Sequence, residues 1–355
     1  MLDIDFYMKF DGAMEEIKSG KLTSDDAVYN ALENIRNRRP VVYNIETTNR
    51  CNMRCKMCPR TTMMTRGMED IDIDTFRKVV SQIEPHSTEV WERWKHYCED
   101  KYGIKETDEP SENHFFLYVI SKVIQLHGYG DPLLDAHMAE YIQMLTEKGI
   151  PTYFSCNPAN IDLDATYRMM ESGLGYIKYS IESVDDEEYK NIRGRAANFS
   201  SSYQDIMKVL DYKHEHGLDT VIVITMLNLN KKNQREEFEA LRKAFDGLDV
   251  YLYLKSEDCQ WYRKDYHPTE SIHWSEPCKH PWMTMTIKSN GEATMCMEDF
   301  NNEIILGDVN KDTLYDIWNG PRYAEFRRQH IRVDHTIKCD AQCDMKLVGN
   351  LIRQD

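Results

Sequence analysis

Residues Glu46-Thr-Thr-Asn-Arg-Cys-Asn-Met-Arg-Cys-Lys-Met-Cys-Pro59 decide how the rest of the chain is read. The cysteines are Cys51, Cys55 and Cys58, spaced Cys-x3-Cys-x2-Cys. Three thiolates this close can hold three irons of a cubane cluster and leave the fourth iron open. The loop directly follows Val41-Val-Tyr-Asn-Ile-Glu-Thr47, whose β-branched residues predict a short buried strand. The competing reading is a structural zinc loop. Zinc asks for four ligands, often in paired knuckles, and the next cysteine, Cys98, has no matching knuckle.

A strand that ends in an open iron–sulfur loop resembles the radical S-adenosylmethionine (SAM) superfamily. The resemblance implies that the open iron chelates SAM, and that one electron cleaves SAM to a 5′-deoxyadenosyl radical. It also implies a flavodoxin- or ferredoxin-type electron donor. The chain departs from the family at Met57, where an aromatic residue is usual next to the adenine. A thioether can still pack against a ring.

At 355 residues the chain is long enough for one large domain and a smaller one. Its 29% charged and 41% hydrophobic residues are those of an ordinary globular protein. The formal net charge of −16 argues against a nucleic-acid partner, which needs a basic footprint. No apolar run approaches the ~20 residues that span a bilayer. The acidic N-terminus lacks the order of a signal peptide, so a cytoplasmic location is expected. In a reducing compartment, clustered cysteines among the ten point to metal rather than disulfides.

Residues 12 to 37 read as amphipathic helix, with Ser24 as a cap and Pro40 as a stop. Ile73 to Ile83 reads as the helix after the cluster. Residues 84 to 115, with Trp91, Trp94, His96 and Cys98, read as an insertion: a lid, or by preference a solvated surface excursion. Strands are then expected at 122–127, 151–155, 176–181, 220–225 and 250–254, separated by helices. Such alternation specifies a parallel sheet with outer helices. With the first strand, this α/β pattern matches the partial (β/α)6 TIM-type barrel that the resemblance implies. The expected organisation is a helical segment at 1–40, a barrel at 41–258 and an auxiliary domain at 259–355.

Chemistry in such barrels sits at the C-terminal strand ends. There, His127-Gly-Tyr-Gly-Asp-Pro-Leu133 resembles the family's glycine-rich segment, with Gly128, Gly130 and Asp131 as candidates for the SAM amino group. Ser180, Glu182 and Arg193 resemble its Ser-x-Glu and Ile-Arg-Gly elements. The resemblance implies contacts to ribose, amino group and methionyl carboxylate, a planar anion that suits a guanidinium. Asn157, Met226 and Asn228 are further adenosine candidates.

Cys278, Cys296, Cys339 and Cys343 form a second constellation around a hairpin signalled by Asn290-Gly291. With the Leu306-Gly-Asp-Val turn and Trp318, it resembles the auxiliary-cluster extension of SPASM/Twitch enzymes. Four cysteines suffice for one fully ligated second 4Fe–4S cluster, the Twitch version. Four also suit zinc.

The expected reaction is hydrogen abstraction from a polar small molecule such as an aminocyclitol, a sugar or a nucleoside-like compound. Oxidation is favoured, with the auxiliary cluster as electron acceptor. Glu257, Asp258, Cys259, Tyr262, Arg263 and His267, after the sixth strand, are the candidate substrate residues. Two other outcomes stay open: epimerisation with Cys259 or Cys156 as hydrogen donor, and maturation of a ribosomal peptide.

Overall fold

The computed structural model describes residues 1–256 and 277–331. Among the described residues, nine strands form one sheet. They are β1 (Val42–Ile45), β2 (Ile124–Gln125), β3 (Thr152–Cys156), β4 (Tyr176–Ser180), β5 (Val221–Leu227), β6 (Tyr251–Lys255), β7 (Met285–Ile287), β8 (Glu292–Thr294) and β9 (Gly307–Asp308). The order is β6-β5-β4-β3-β2-β1-β7-β8-β9. From β1 to β6 every pairing is parallel, so each crossover carries a helix on the outer face. This is the expected partial TIM-type barrel, with a C-terminal extension.

The extension does not stand apart from the barrel. β7 pairs in parallel with β1, in register Val42↔Met285 and Ile45↔Ile287. The antiparallel β8 and β9 then continue the same sheet. The hairpin signal at Asn290-Gly291 is real, but its turn is one residue longer than a two-residue loop. Lys288 and Glu292 pair, Gly291 N–H donates to Lys288 O, and Gly291 alone has positive φ (85°). That is a three-residue loop closed by a left-handed glycine.

Strand residues alternate between two faces. Phe154, Ile177, Ile222 and Ile224 join the outer core, under helices such as Met138–Glu147 and Phe199–His216. Tyr153, Val223 and Tyr253 belong to a separate inner cluster.

The N-terminal helix starts earlier than expected, at Ile4, and runs to Lys18. A second follows at Asp25–Ile35, where Ser24 Oγ caps Ala27 N as the sequence suggests. The 84–115 insertion is anchored rather than a wholly solvated surface excursion. Its helix Thr88–Tyr102 buries Trp94 and Cys98 completely against the first helix. Trp94 meets Tyr7 edge-on at 5.3 Å, and its indole N–H donates to Leu117 O at 2.8 Å. At the end of the insertion, Phe115 sits among Tyr153, Tyr251 and Tyr253 with ring centroids 5.3–5.4 Å away. Tyr153 and Tyr251 stand near the N-terminal ends of their strands, where the insertion makes the barrel's floor, while Glu112 accepts from Ser256 N at 3.0 Å, so its last turn runs along β6 to the strand's exit. The polar run from Lys105 to Pro110 is exposed throughout, as its composition demands.

Trp94→Ala should therefore lower the unfolding free energy by about 3–5 kcal/mol, the usual cost of emptying a buried aromatic site. Urea denaturation checks this. A loss near zero would return the helix to the surface.

Candidate active site

The cysteine loop leaves β1 at the C-terminal edge and packs Cys51, Cys55 and Cys58 with Met53, Met57 and Tyr189. Two neighbouring segments fix its path. Arg54 N donates to Arg193 O at 3.2 Å, and Lys56 N to Ile192 O at 2.9 Å. On the other side, Asp131 N donates to Arg50 O at 2.7 Å. A Cβ at Gly130 would lie 2.2 Å from Thr48 O, and one at Gly128 would lie 2.3 Å from Glu46 Oε2. The glycines thus let the second strand's exit lie directly on the first strand's exit.

Arg193 and Glu182 form a bidentate, buried ion pair. Arg193 Nη1 also reaches Cys55 Sγ at 3.6 Å. The Asp131 carboxylate accepts from Asn160 Nδ2 (2.7 Å), Leu133 N (3.1 Å) and Asn157 N (3.2 Å). Burial raises its pKa against those hydrogen bonds. Asn157 turns its Oδ1 to Ala159 N, and its buried Nδ2 has no partner among the described residues. Ser180 faces the lumen, 3.4 Å from Ser155 Oγ.

Two sequence candidates turn away from the lumen. Met226 lies in the outer core, where its sulfur accepts from Gln234 Nε2 at 3.1 Å. Cys156 also packs outward, its thiol donating to Lys178 O at 3.6 Å, because it alternates with the lumen-facing Ser155. Asn228 caps its own turn by accepting from Asn230 N at 2.9 Å. Glu257, Asp258, Cys259, Tyr262, Arg263, His267, Cys339 and Cys343 lie outside the described residues.

The fold also gathers residues that local sequence did not announce. Glu46, fully buried, accepts from Arg66 Nη2 at 2.7 Å and from Ser289 Oγ at 3.1 Å. Burial opposes its charge, but Lys288 and Arg66 beside it outweigh burial and hold its pKa low. Lys288, whose pKa burial lowers, donates to Met297 O at 3.1 Å. Tyr129 OH donates to Glu298 at 3.0 Å. This polar node joins the exit of β1 to the strand end that carries Cys296. Gln125, His127, Ser155, Lys178 and Lys255 share the inward parity of their strands. Such polar residues at lumen positions were the missed signal.

The donor set fits an iron–sulfur cluster. Burial pushes the Cys51 thiol up to about 11 and raises that of Cys58, so thiolates at neutral pH call for a cation among them. Among the described residues no three His, Cys, Asp or Glu side chains close tightly enough for a bare ion. The fit therefore rests on donor type and placement, with the orphaned Asn157 amide at the same edge. Cys278 and Cys296 are half-buried, and a short helix, His280–Met283, separates Cys278 from the hairpin.

Comparison with known proteins gives the same picture. A family model described as "Radical SAM superfamily" matches residues 114–244. A second, "Iron-sulfur cluster-binding domain" (SPASM), matches residues 278–344. Among solved structures, anSMEcpe with bound AdoMet is similar with a TM-score of 0.51 at 10% identity, over 82% of this chain and 81% of that chain. BtrN in complex with AdoMet and 2-DOIA gives 0.49 at 14% identity, over 85% of this chain and 91% of that chain. SuiB of Streptococcus suis bound to S-adenosylmethionine gives 0.44 at 16% identity, over 88% and 78%. The first family implies a 4Fe–4S cluster with SAM, and the second an auxiliary iron–sulfur cluster. With the barrel, the thiol loop and the hairpin joined to β1, this chain carries a radical SAM domain and a SPASM iron–sulfur cluster-binding extension.

Proposed function

We propose that this enzyme abstracts hydrogen from a carbon of a polar small molecule held in the barrel lumen and completes an oxidation. When bound, the first cluster with SAM supplies a 5′-deoxyadenosyl radical, and the auxiliary cluster supplies an electron acceptor. Cys51, Cys55 and Cys58 would hold the first cluster; Cys278, Cys296, Cys339 and Cys343 the second. Arg193 would meet the methionyl carboxylate, with Glu182 fixing its plane. Gly128, Gly130 and Asp131 would shape the wall on the amino-group side, and Asn157 Nδ2 would donate to the adenosine. Residues 41–258 make the barrel in this reading, and 259–355 the auxiliary domain. A flavodoxin- or ferredoxin-type protein would deliver the first electron.

The observation that supports oxidation is the shared sheet. β7 lies directly on β1, and the Glu46–Arg66–Lys288 node spans from one cysteine set toward the other. That arrangement suits electron transfer between two sites. Epimerisation by a cysteine donor loses one candidate, because Cys156 faces the outer helices.

The test is anaerobic reconstitution followed by dithionite and SAM. The expected results are roughly eight irons per chain, as two cubanes require, and release of 5′-deoxyadenosine. With substrate deuterated at the attacked carbon, that deuterium should pass into 5′-deoxyadenosine, and the product should have lost it and one further hydrogen. A product of unchanged mass with solvent hydrogen at the attacked carbon would establish epimerisation instead. No 5′-deoxyadenosine at all would end the radical reading.

A further inference from the structure

We propose that the outer face of the cysteine loop is the docking surface for an acidic one-electron carrier protein, which lands on Arg54, Lys56 and Arg195. The proposal rests on the reading above, in which a protein donor reduces the first cluster, and adds where that donor binds and by what chemistry. In each encounter the carrier is oxidised by one electron and the cluster is reduced by one.

Charge sets this loop apart from the rest of the chain. The chain holds 60 acids against 44 lysines and arginines, yet Arg50 to Arg60 carries four cations and no acid. Exposure alternates along the loop. Met53 and Cys55 are buried, while Asn52, Arg54 and Lys56 are exposed. Cys55 thus faces inward, and the cations on either side of it face outward. The segment that ends the helix Asp186–Arg193 adds a further cation. Lys56 Nζ donates to Asn191 Oδ1 at 2.6 Å, and a Cβ at Gly194 would lie 3.2 Å from Arg54 Cβ. Arg195, exposed, follows directly. On the loop's other flank, Arg60 donates to Asn49 O at 3.0 Å and reaches Met68 Sδ at 3.8 Å. Met68 is 61% exposed, more than any other large apolar side chain among the described residues.

The acids around the loop are mostly occupied. Asp70 pairs with Arg50 at 2.8 Å, Glu187 with Lys190 at 2.8 Å and Glu188 with Lys231 at 3.4 Å. Asp185 and Asp186 accept from Glu188 N and Ser200 N, at the far end of a helix that puts about 10 Å between Asp186 and Arg193. Glu46, Asp131 and Glu182 are buried on the inner side. Asp162 caps Ala165 N. Glu69 and Asp164 are left, one on the strap beyond Arg60 and one past the Asn52–Asn160 amide pair. Arg54, Lys56 and Arg195 have no carboxylate within ion-pair reach among the described residues.

Exposed cations around one apolar side chain suit a brief redox encounter, in which charge steers and orients while little area is buried. Met and Arg are also enriched at interface cores. The acidic remainder of the surface repels an acidic carrier, so attraction at this patch also fixes where it lands. Four cations on one loop are too few for a nucleic-acid track in a chain of net charge −16. The position matters as much as the charge. A protein seated here lies over Cys55, at the first cluster's own ligands.

The test uses the full-length, two-cluster protein with SAM, and reduced flavodoxin as the probe. Stopped-flow absorbance follows reduction of the cluster. A triple variant, Arg54→Gln with Lys56→Gln and Arg195→Gln, should slow the second-order step by about tenfold or more, the lower end of what steering contributes. The wild-type rate should fall steeply as added salt shrinks the Debye length from about 30 Å to about 3 Å, and the variant's should scarcely change. Calorimetric titration with oxidised flavodoxin should show a matching loss of affinity. Reduction by methyl viologen, a small radical cation, should be no slower in the variant. All three side chains are exposed, so iron content and melting temperature should stay at wild-type values. Arg195→Glu alone, outside the cysteine loop, should slow flavodoxin several-fold and serves if the triple variant fails to fold.

Equal flavodoxin rates in wild type and variants, or a wild-type rate indifferent to salt, would overturn the proposal. So would a variant slowed as much with methyl viologen as with flavodoxin. A variant that keeps SAM cleavage under dithionite but loses substrate turnover would assign the patch to an acidic substrate instead. Dithionite-driven 5′-deoxyadenosine release by the wild type is scored separately. Charge-dependent flavodoxin binding without that release would sink the proposed function alone. Release without charge-dependent reduction would sink this proposal alone.

Discussion

Cys55→Ala should lower SAM cleavage by about 10³-fold or more, the scale on which losing an essential catalytic component is felt. Bound iron should fall to about half, because one of two four-iron sites is lost. Cys55 is the most buried of the triplet, and Arg193 meets it through both its guanidinium and its carbonyl oxygen. Apart from Cys51 and Cys58, no cysteine among the described residues packs in that cluster to replace it. Cys51→Ala and Cys58→Ala should behave alike. Iron analysis and 5′-deoxyadenosine quantification by chromatography provide the check. Cys98→Ala is the control: its thiol is buried in the floor, far along the chain from the triplet, and should leave iron content unchanged. Full iron and full cleavage in Cys55→Ala would refute the assignment of the triplet.

The second large effect concerns Arg193. Arg193→Met strands the Glu182 carboxylate, which is 1% exposed, without its bidentate partner. Breaking a buried pair from one side costs about 3–5 kcal/mol, since an uncompensated charge is left behind. Replacing both partners, Arg193→Met with Glu182→Met, should recover most of that stability. It should not recover SAM. If Arg193 also meets the methionyl carboxylate, the double variant should bind SAM about tenfold or more weakly, the worth of one charged hydrogen bond. Thermal unfolding and SAM titration separate the two roles. A double variant with native stability and native SAM affinity would make Arg193 a purely structural residue.

The barrel was legible because its determinants are local and repeated. Six apolar strand segments alternate with amphipathic helices, and such periodicity survives any tertiary detail. The cysteine loop was legible because a ligand set must sit close along the chain when one loop supplies it. The floor was not legible. Trp94, Cys98 and Phe115 look like a scatter of apolar residues in a polar insertion. Their burial depends on the first helix, Ile4–Lys18, and on the strand ends of β3 and β6. The lumen was only half legible. Alternation allows two faces, and the outward turn of Met226 and Cys156 follows from which face the helices cover.

By itself, the sequence determined the parallel barrel, the thiol triplet at the exit of its first strand and the four-cysteine pattern of the extension. All of these are written in spacing and period. Only the tertiary structure decided that the extension shares the barrel's sheet, since β1 and β7 are over two hundred residues apart and pair through backbone hydrogen bonds. The same holds for Glu46, Arg66 and Lys288. Each is an ordinary polar residue in its own stretch. It becomes part of a site only because closing a barrel brings several strands to one volume where charge is costly unless matched.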